Sequence, residues 1–179
     1  MKKNGIILTE ALVAITTLAT GMIALGTMTS SAVSTTILSK DYLFAHNILT
    51  EGIEVVKNIR STNNLRYNNE KTCWLSLNDD CNKIKNNIKA NFIITLTDDL
   101  WQLNDGPSAE LDLTTYNPDD PDDVQNNYQV YIGGQKSKFF RSVVFTEADD
   151  DNATFELKIK WKNGEKINTI TKNIKMFNN

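Results

Sequence analysis

The sequence predicts an α+β fold: a long N-terminal helix with an apolar half that projects and an amphipathic half packed on an antiparallel β-sheet meander. Three observations predict it. The chain is uncharged from Ala11 to Ser39. Apolar residues then recur at helical spacing as far as Ile59. The C-terminal part alternates apolar and polar residues, as half-buried strands do.

Composition excludes several classes of function. At 179 residues the chain has room for about one domain and an appendage. Its net charge of -3 gives no reason to expect a nucleic-acid partner. One histidine and two cysteines are too few for a structural zinc site. His46 has no local motif that would make it a catalytic base, and we expect no cofactor and no metal.

The first element is an apolar helix that contains one carboxylate, Glu10. The run from Ile6 to Val33 is long enough to cross a bilayer, and the lysines before it favour a cytoplasmic N-terminus. An ionisable group at membrane depth is costly and indicates a function. A secretory signal peptide ending near Ser31 and a plain membrane anchor are alternatives, but neither explains Glu10 together with Gly5.

The segment from Gly5 to Ile15 resembles the N-terminal motif of type IV prepilins and type II secretion pseudopilins. In that family a short basic leader ends in glycine, a membrane peptidase cuts after it, and the new amino terminus is N-methylated. The resemblance implies cleavage between Gly5 and Ile6, and it places Glu10 fifth in the mature chain, where the family has its glutamate. Ile6 stands where the family usually has phenylalanine.

The same resemblance implies three parts of the chain: a leader (1–5), a transmembrane and fibre-core half of the helix (6–33), and an exported globular domain of pilin-like fold (34–179). It implies a structural subunit, major or minor, of a type IV pilus-like surface filament, and not an enzyme. The expected partners are other pilin subunits, the prepilin peptidase, the inner-membrane assembly platform with its ATPase, and membrane lipid before assembly. The expected location is the inner membrane in a single pass, and then the cell-surface filament.

Two other functions stay open from the sequence. One is a pseudopilin of a type II secretion-like system. The other is a single-span, membrane-anchored extracellular binding protein.

The predicted role of Glu10 has a physical basis. Cleavage would expose an amine on Ile6 about one helical turn away. In a stack of axially offset parallel helices, the glutamate of one subunit can meet the amino terminus of its neighbour. In a low dielectric such a pair is costly to leave unmatched, so it would fix axial register more than it adds stability.

The second half of the helix is predicted to end near residues 61–64 and to pack an apolar face on a sheet. Small side chains at Ala45 and Gly52 would let that sheet approach closely. Beyond it, Cys73 and Cys81 are expected to form a disulfide if the domain is exported to an oxidising compartment.

The C-terminal part predicts five strands, with a hairpin turn at Asn163–Gly164. Their predicted ranges are 91–97, 128–132, 138–146, 155–161 and 166–176. Residues 98–135 contain nine acidic residues and no Lys or Arg. We interpret this region as a solvated acidic loop near a basic strand face, and its aspartates as turns in water more than calcium ligands.

Overall fold

The computed structural model describes residues 3–67, 73–77, 81, 83–97 and 100–178. It confirms the α+β fold, with one long N-terminal helix and a six-stranded antiparallel sheet. The chain divides into two compact units, Met1–Leu43 and Phe44–Asn179. The helices are α1 (Lys3–Arg66), α2 (Lys83–Asn86) and a 3₁₀ helix (Val124–Tyr128). The strands are β1 (Asn91–Thr97), β2 (Leu100–Asp105), β3 (Gln129–Ile132), β4 (Gln135–Ala148), β5 (Asn152–Asn163) and β6 (Lys166–Phe177).

The sheet has the order β2-β1-β4-β5-β6, and β3 also pairs with β4. Consecutive strands therefore pair throughout β3 to β6, as a meander requires. The long-range pairing is that of β1 with β4, at Phe92 opposite Val143. Since the other edge of β4 pairs with β5, β1 and β3 lie along the same edge of β4.

The main core lies between the C-terminal part of α1 and one face of the sheet. Strand β5 buries every second residue, and Leu157, Ile159 and Trp161 are fully buried. On the helix, Ala45 and Val56 belong to the same apolar cluster. The strict alternation along β5 gives the sheet one apolar face, which the amphipathic part of α1 covers.

A close approach and a charge pair join α1 to the sheet. Gly52 leaves no room for a side chain, because a Cβ built there would lie 2.8 Å from the Leu157 Cδ1 atom. Beside it, the buried Arg141 donates a hydrogen bond of 2.9 Å from Nη1 to Glu51 Oε1. Burial lowers the pKa of Arg141, and the hydrogen bond to Glu51 opposes that change. The pair compensates a charge that would otherwise be costly to bury.

The second face of the sheet is also partly covered, which differs from the expectation of a single apolar face below a solvated loop. Leu111 and Leu113 are fully buried in a smaller cluster with Tyr128 and Phe140. The Tyr128 hydroxyl donates to the Ala109 carbonyl at 2.6 Å, and burial raises its pKa to about 12. Because strand residues alternate between faces, Phe140 is available to a second layer.

The segment that contains Leu111 and Leu113 also contacts the basic face of β5, as the sequence predicts. Lys158 Nζ lies 3.3 Å from Glu110 Oε1. Lys160 Nζ donates to the Leu111 carbonyl oxygen. The acidic region is thus anchored by apolar and charged contacts together, with most of its carboxylates left exposed.

Three local features add to the sequence prediction or refine it. Strand β2 lies inside the region predicted as loop. The β5–β6 hairpin pairs Asn163 with Lys166, so the two loop residues are Gly164 and Glu165. Of these two loop residues, only Gly164 has a positive φ, as in two-residue hairpin loops that have glycine at the first position. Finally, a disulfide joins Cys73 to Cys81, which confirms the predicted pairing.

Candidate functional site

The candidate site is the N-terminal part of α1, where the predicted processing and assembly residues lie. Gly5, Ile6 and Glu10 all belong to this one helix. Glu10 lies four positions after Ile6, which is about one turn. Of the predicted leader, Met1 and Lys2 lie outside the described residues, and for residues 3–6 only the backbone is described.

The helix surface in this segment is apolar and uncovered. Every residue from 7 to 40 is exposed. The large apolar side chains from Ile7 to Ile37 are each at least 54% exposed. The helix is long and apolar enough to cross a membrane, by length and composition. An exposed apolar surface of this extent marks an interaction with lipid or protein.

Glu10 is the single ionisable residue from Ile7 to Ser39. Its side chain is exposed, and it makes no hydrogen bond or ion pair with the described part of the chain. It therefore lacks an internal partner for its charge among those residues. The helix fixes its position on the apolar surface, where no other residue from Ile7 to Ser39 carries a charge that could pair with it.

Threonine hydroxyls on the same segment are satisfied by the helix itself. Thr16 donates to the Val13 carbonyl at 2.9 Å, three residues back. The same i−3 or i−4 bond is made by Thr17, Thr20, Thr27, Thr29, Thr35 and Thr36. Because the helix backbone accepts these bonds, the hydroxyls need no water. Polar groups in an apolar environment must be satisfied internally in this way. These bonds were not predicted from the sequence, although threonine in an apolar helix is the signal for them.

The glycines of this segment leave the backbone open. A Cβ built at Gly21 or Gly26 would meet nothing within 4 Å. Another helix could therefore approach the backbone closely at these positions, as small residues permit in membrane helix packing.

Elsewhere, the carboxylates with altered pKa are turn residues. Backbone N–H groups of Asn117 and Gln125 donate to Asp123 at 2.8 Å each and lower its pKa. The pKa values of Asp112 and Asp149 are lowered first by backbone hydrogen bonds in the same way. Within the described ranges, no group of three His, Cys, Asp or Glu side chains could hold a metal ion.

A cavity of about 260 Å³ lies in the second unit, between the end of α1 and β2. Asn58, Thr62, Tyr67, Trp101 and Gln102 are among its lining residues. This mixed polar and aromatic lining shows no arrangement of a nucleophile with a base.

Comparison of the chain with protein-family models, curated proteins and solved structures finds no match.

Proposed function

We propose that this chain is a structural subunit of a type IV pilus-like surface filament and has no enzymatic activity of its own. In this proposal a membrane peptidase removes residues 1–5, the amine of Ile6 is methylated, and subunits stack through the apolar part of α1. The chain resides in the inner membrane, N-terminus in the cytoplasm, before assembly. Its partners are other pilin subunits, the peptidase, membrane lipid, and the platform with its ATPase.

One observation supports this proposal most. Glu10 is the single carboxylate of residues 7–39, it has no ion pair with the described residues, and it lies on an exposed apolar helix one turn after the Gly5–Ile6 bond. A permanent anchor gains nothing from such a charge, because burying it in lipid without a partner is costly. A filament supplies the partner, since cleavage releases an amine that a neighbouring copy can bring to the carboxylate.

The second unit fits the role of an exported domain. It has its own core, made by α1 and the sheet, and a disulfide between Cys73 and Cys81. Disulfides persist in oxidising compartments. A second, smaller apolar cluster with acidic residues around it covers part of the other sheet face. These features suit the exported domain of a structural subunit.

Mass spectrometry of the native N-terminus tests processing. We expect the mature chain to begin with Ile6 and to have the added mass of one methyl group. Gly5→Val should block cleavage and exclude the chain from filaments. Gly26→Val, the same change in open space on the same helix, should leave cleavage intact. Recovery of a chain that begins at Met1 or Lys2 would contradict the proposal and favour a single-span binding protein.

The role of Glu10 is tested by Glu10→Gln, which keeps the shape and removes the charge. We expect membrane insertion and cleavage to proceed but incorporation into filaments to fail, because the neighbouring amine loses its counter-charge. Glu54→Gln, an exposed residue of the same helix, is the matched control. Normal filaments from Glu10→Gln would disprove the register role.

A pseudopilin of a secretion system would share all of these features. Electron microscopy of whole cells with an antibody against the second unit separates the two functions. Labelled filaments on the surface support the pilus, whereas a label confined to the periplasm supports the pseudopilin.

A further inference from the structure

We propose that, within the filament, the outer edge of β6 in one subunit docks the acidic 117–123 turn of a second copy of this chain. This inference rests on the proposed function, because it concerns a contact between assembled subunits. It adds a contact between globular units to the one made by α1.

Strand β6 offers an unpaired edge. It ends the strand order of the sheet, and over its 12 residues no strand of the described chain pairs with its outer side. Such an edge presents free backbone N–H and C=O groups to another molecule. Lys166 and Lys172 are exposed on it. The lysines keep the edge from joining another β6 and favour an acidic partner.

The chain already uses an acidic-on-basic contact internally. Glu110 Oε1 lies 3.3 Å from Lys158 Nζ, which also pairs with Glu156, and Lys160 donates to the Leu111 carbonyl. This shows that the acidic segment and the basic strands are complementary in charge. It also leaves a surplus of both signs on other surfaces of the same unit.

Unpaired charges of opposite sign lie on the two surfaces that we propose to meet. Asp119, Asp120 and Asp122 are exposed, and none forms an ion pair with the described residues. The same holds for Lys166 and Lys172. Three unpaired carboxylates and two unpaired ammonium groups thus lie on surfaces that do not pair with each other within the described chain.

The acidic turn is held in a fixed shape. Asp123 accepts backbone N–H bonds from Asn117 and Gln125, both at 2.8 Å. The side-chain amide of Asn126 donates to the Asp120 carbonyl at 2.9 Å. A loop ordered in this way loses little conformational freedom when it docks.

A second copy is the occupant that accounts for both surfaces. When identical subunits contact each other head to tail, each contributes one copy of two different surfaces, and the arrangement continues as an open fibre. An unrelated anionic partner on β6 would leave the acidic turn unmatched. A contact of the turn with β6 uses both surfaces once per subunit.

The test uses full-length protein in filaments sheared from cells. Filaments of Lys166→Glu/Lys172→Glu and of Asp119→Lys/Asp122→Lys should dissociate at half the NaCl concentration that the wild type withstands, or less, as measured by sedimentation. Combining the four substitutions should restore at least half of the loss. Lys57→Glu/Lys136→Glu, a matched reversal at exposed lysines elsewhere, should behave as the wild type does.

A carbodiimide, which joins a carboxylate to a lysine without a spacer, gives a second measurement that needs no variant. Wild-type filaments should yield a cross-linked dimer containing a peptide with residues 119–123 joined to one with 166–172. Wild-type filaments without this dimer, or reversed variants as salt-resistant as the wild type, would overturn the inference while leaving the proposed function intact. An effect of the lysine reversal alone would assign β6 to another anionic partner and also overturn it. Absence of wild-type filaments would overturn both proposals.

Discussion

Gly52 is a residue at which helix and sheet approach closely. A Cβ at this position would lie 2.8 Å from Cδ1 of Leu157, which is fully buried. Arg141 Cδ would lie 3.2 Å from a Cβ at the same position. The glycine therefore lowers the helix propensity of α1 at this position, but it permits α1 to pack on β5.

Gly52→Ala is expected to destabilise the second unit by about 1 kcal/mol, because overpacking at roughly 1–3 kcal/mol exceeds the helix gain of about 1 kcal/mol. The free energy of unfolding from urea titration measures this. In a Leu157→Ala background the main clash is absent, so Gly52→Ala should become neutral or stabilising. Stabilisation by Gly52→Ala in the wild-type background would contradict the packing.

Asp123 makes the second unit sensitive to acid. Its pKa is lowered in the folded protein by two backbone N–H bonds, so its contribution is present above the unfolded pKa of about 3.9 and is lost as the pH falls through the lower folded value. We expect the wild type to melt at a higher temperature than Asp123→Asn at pH 7. That gap should shrink at pH 3.

Asp122→Asn serves as the control for this prediction, because Asp122 is exposed and its carboxylate has no ion pair with the described residues. Its melting temperature should follow that of the wild type at both pH values. A gap between wild type and Asp123→Asn that stays constant with pH would show that the carboxylate charge does not stabilise the turn.

At the scale of single residues, the sequence predicted contacts correctly where a residue is unusual for its position. Small residues in an amphipathic stripe correctly indicated close approach at Ala45 and Gly52. The pairing of the buried Arg141 with the half-exposed Glu51 was not foreseeable, since the two residues are 90 positions apart. Only the packing of β4 against α1 brings them together.

Among the elements, the segment 106–123 between β2 and the 3₁₀ helix is the least regular, yet it is anchored. Leu111 and Leu113 insert on the second sheet face, and the Tyr116 ring lies 4.9 Å from that of Phe140 in an edge-on contact. The segment is a covering layer with a small apolar core of its own, and its acidic residues lie around that core.

Leu113→Ala should therefore cost about 2 kcal/mol, the low end for a buried leucine, because the cluster is small and can partly collapse. Leu65→Ala, at a side chain that is 86% exposed, should change stability by less than about 0.5 kcal/mol. Urea unfolding of both variants makes the comparison. Equal stability of the two would mean that the segment contributes no packing.

Five of the six strands were predictable because their apolar residues alternate or cluster between turn signals. Strand β2 was not, since it is short and is flanked by acidic residues and by Gly106–Pro107. The pairing of β1 with β4 joins residues about 50 positions apart, which no local pattern specifies. The alternation Leu111-Asp112-Leu113 was the available signal for the second cluster.

At the scale of the whole molecule, the two units differ in how they meet solvent. The second unit, Phe44–Asn179, contains both apolar clusters and the disulfide. In the first unit every described side chain from residue 7 to 40 is exposed, most of them apolar. The described apolar side chains are thus mostly exposed in the first unit and form buried clusters in the second.

A fragment starting at Phe44 should consequently be soluble without detergent, retain the disulfide and melt cooperatively. The full chain should require detergent or membrane, because its exposed apolar helix has no cover among the described residues. Size-exclusion chromatography and circular dichroism of the two proteins check this. A fragment that aggregates would show that the core depends on residues before Phe44.

The threonine hydroxyls of α1 have a consequence for how the helix changes surroundings. Within residues 7–40, seven of them donate to carbonyls of the preceding turn, so donor and acceptor belong to the same helix and move together. Transfer of the helix from bilayer hydrocarbon into a protein interior would break none of these bonds. The free energy of burying the hydroxyls is therefore nearly the same in the two media. Glu10 is the one ionisable side chain of residues 7–39, so it is the side chain for which the two media differ most, and under the proposed function a neighbouring amine favours the protein interior.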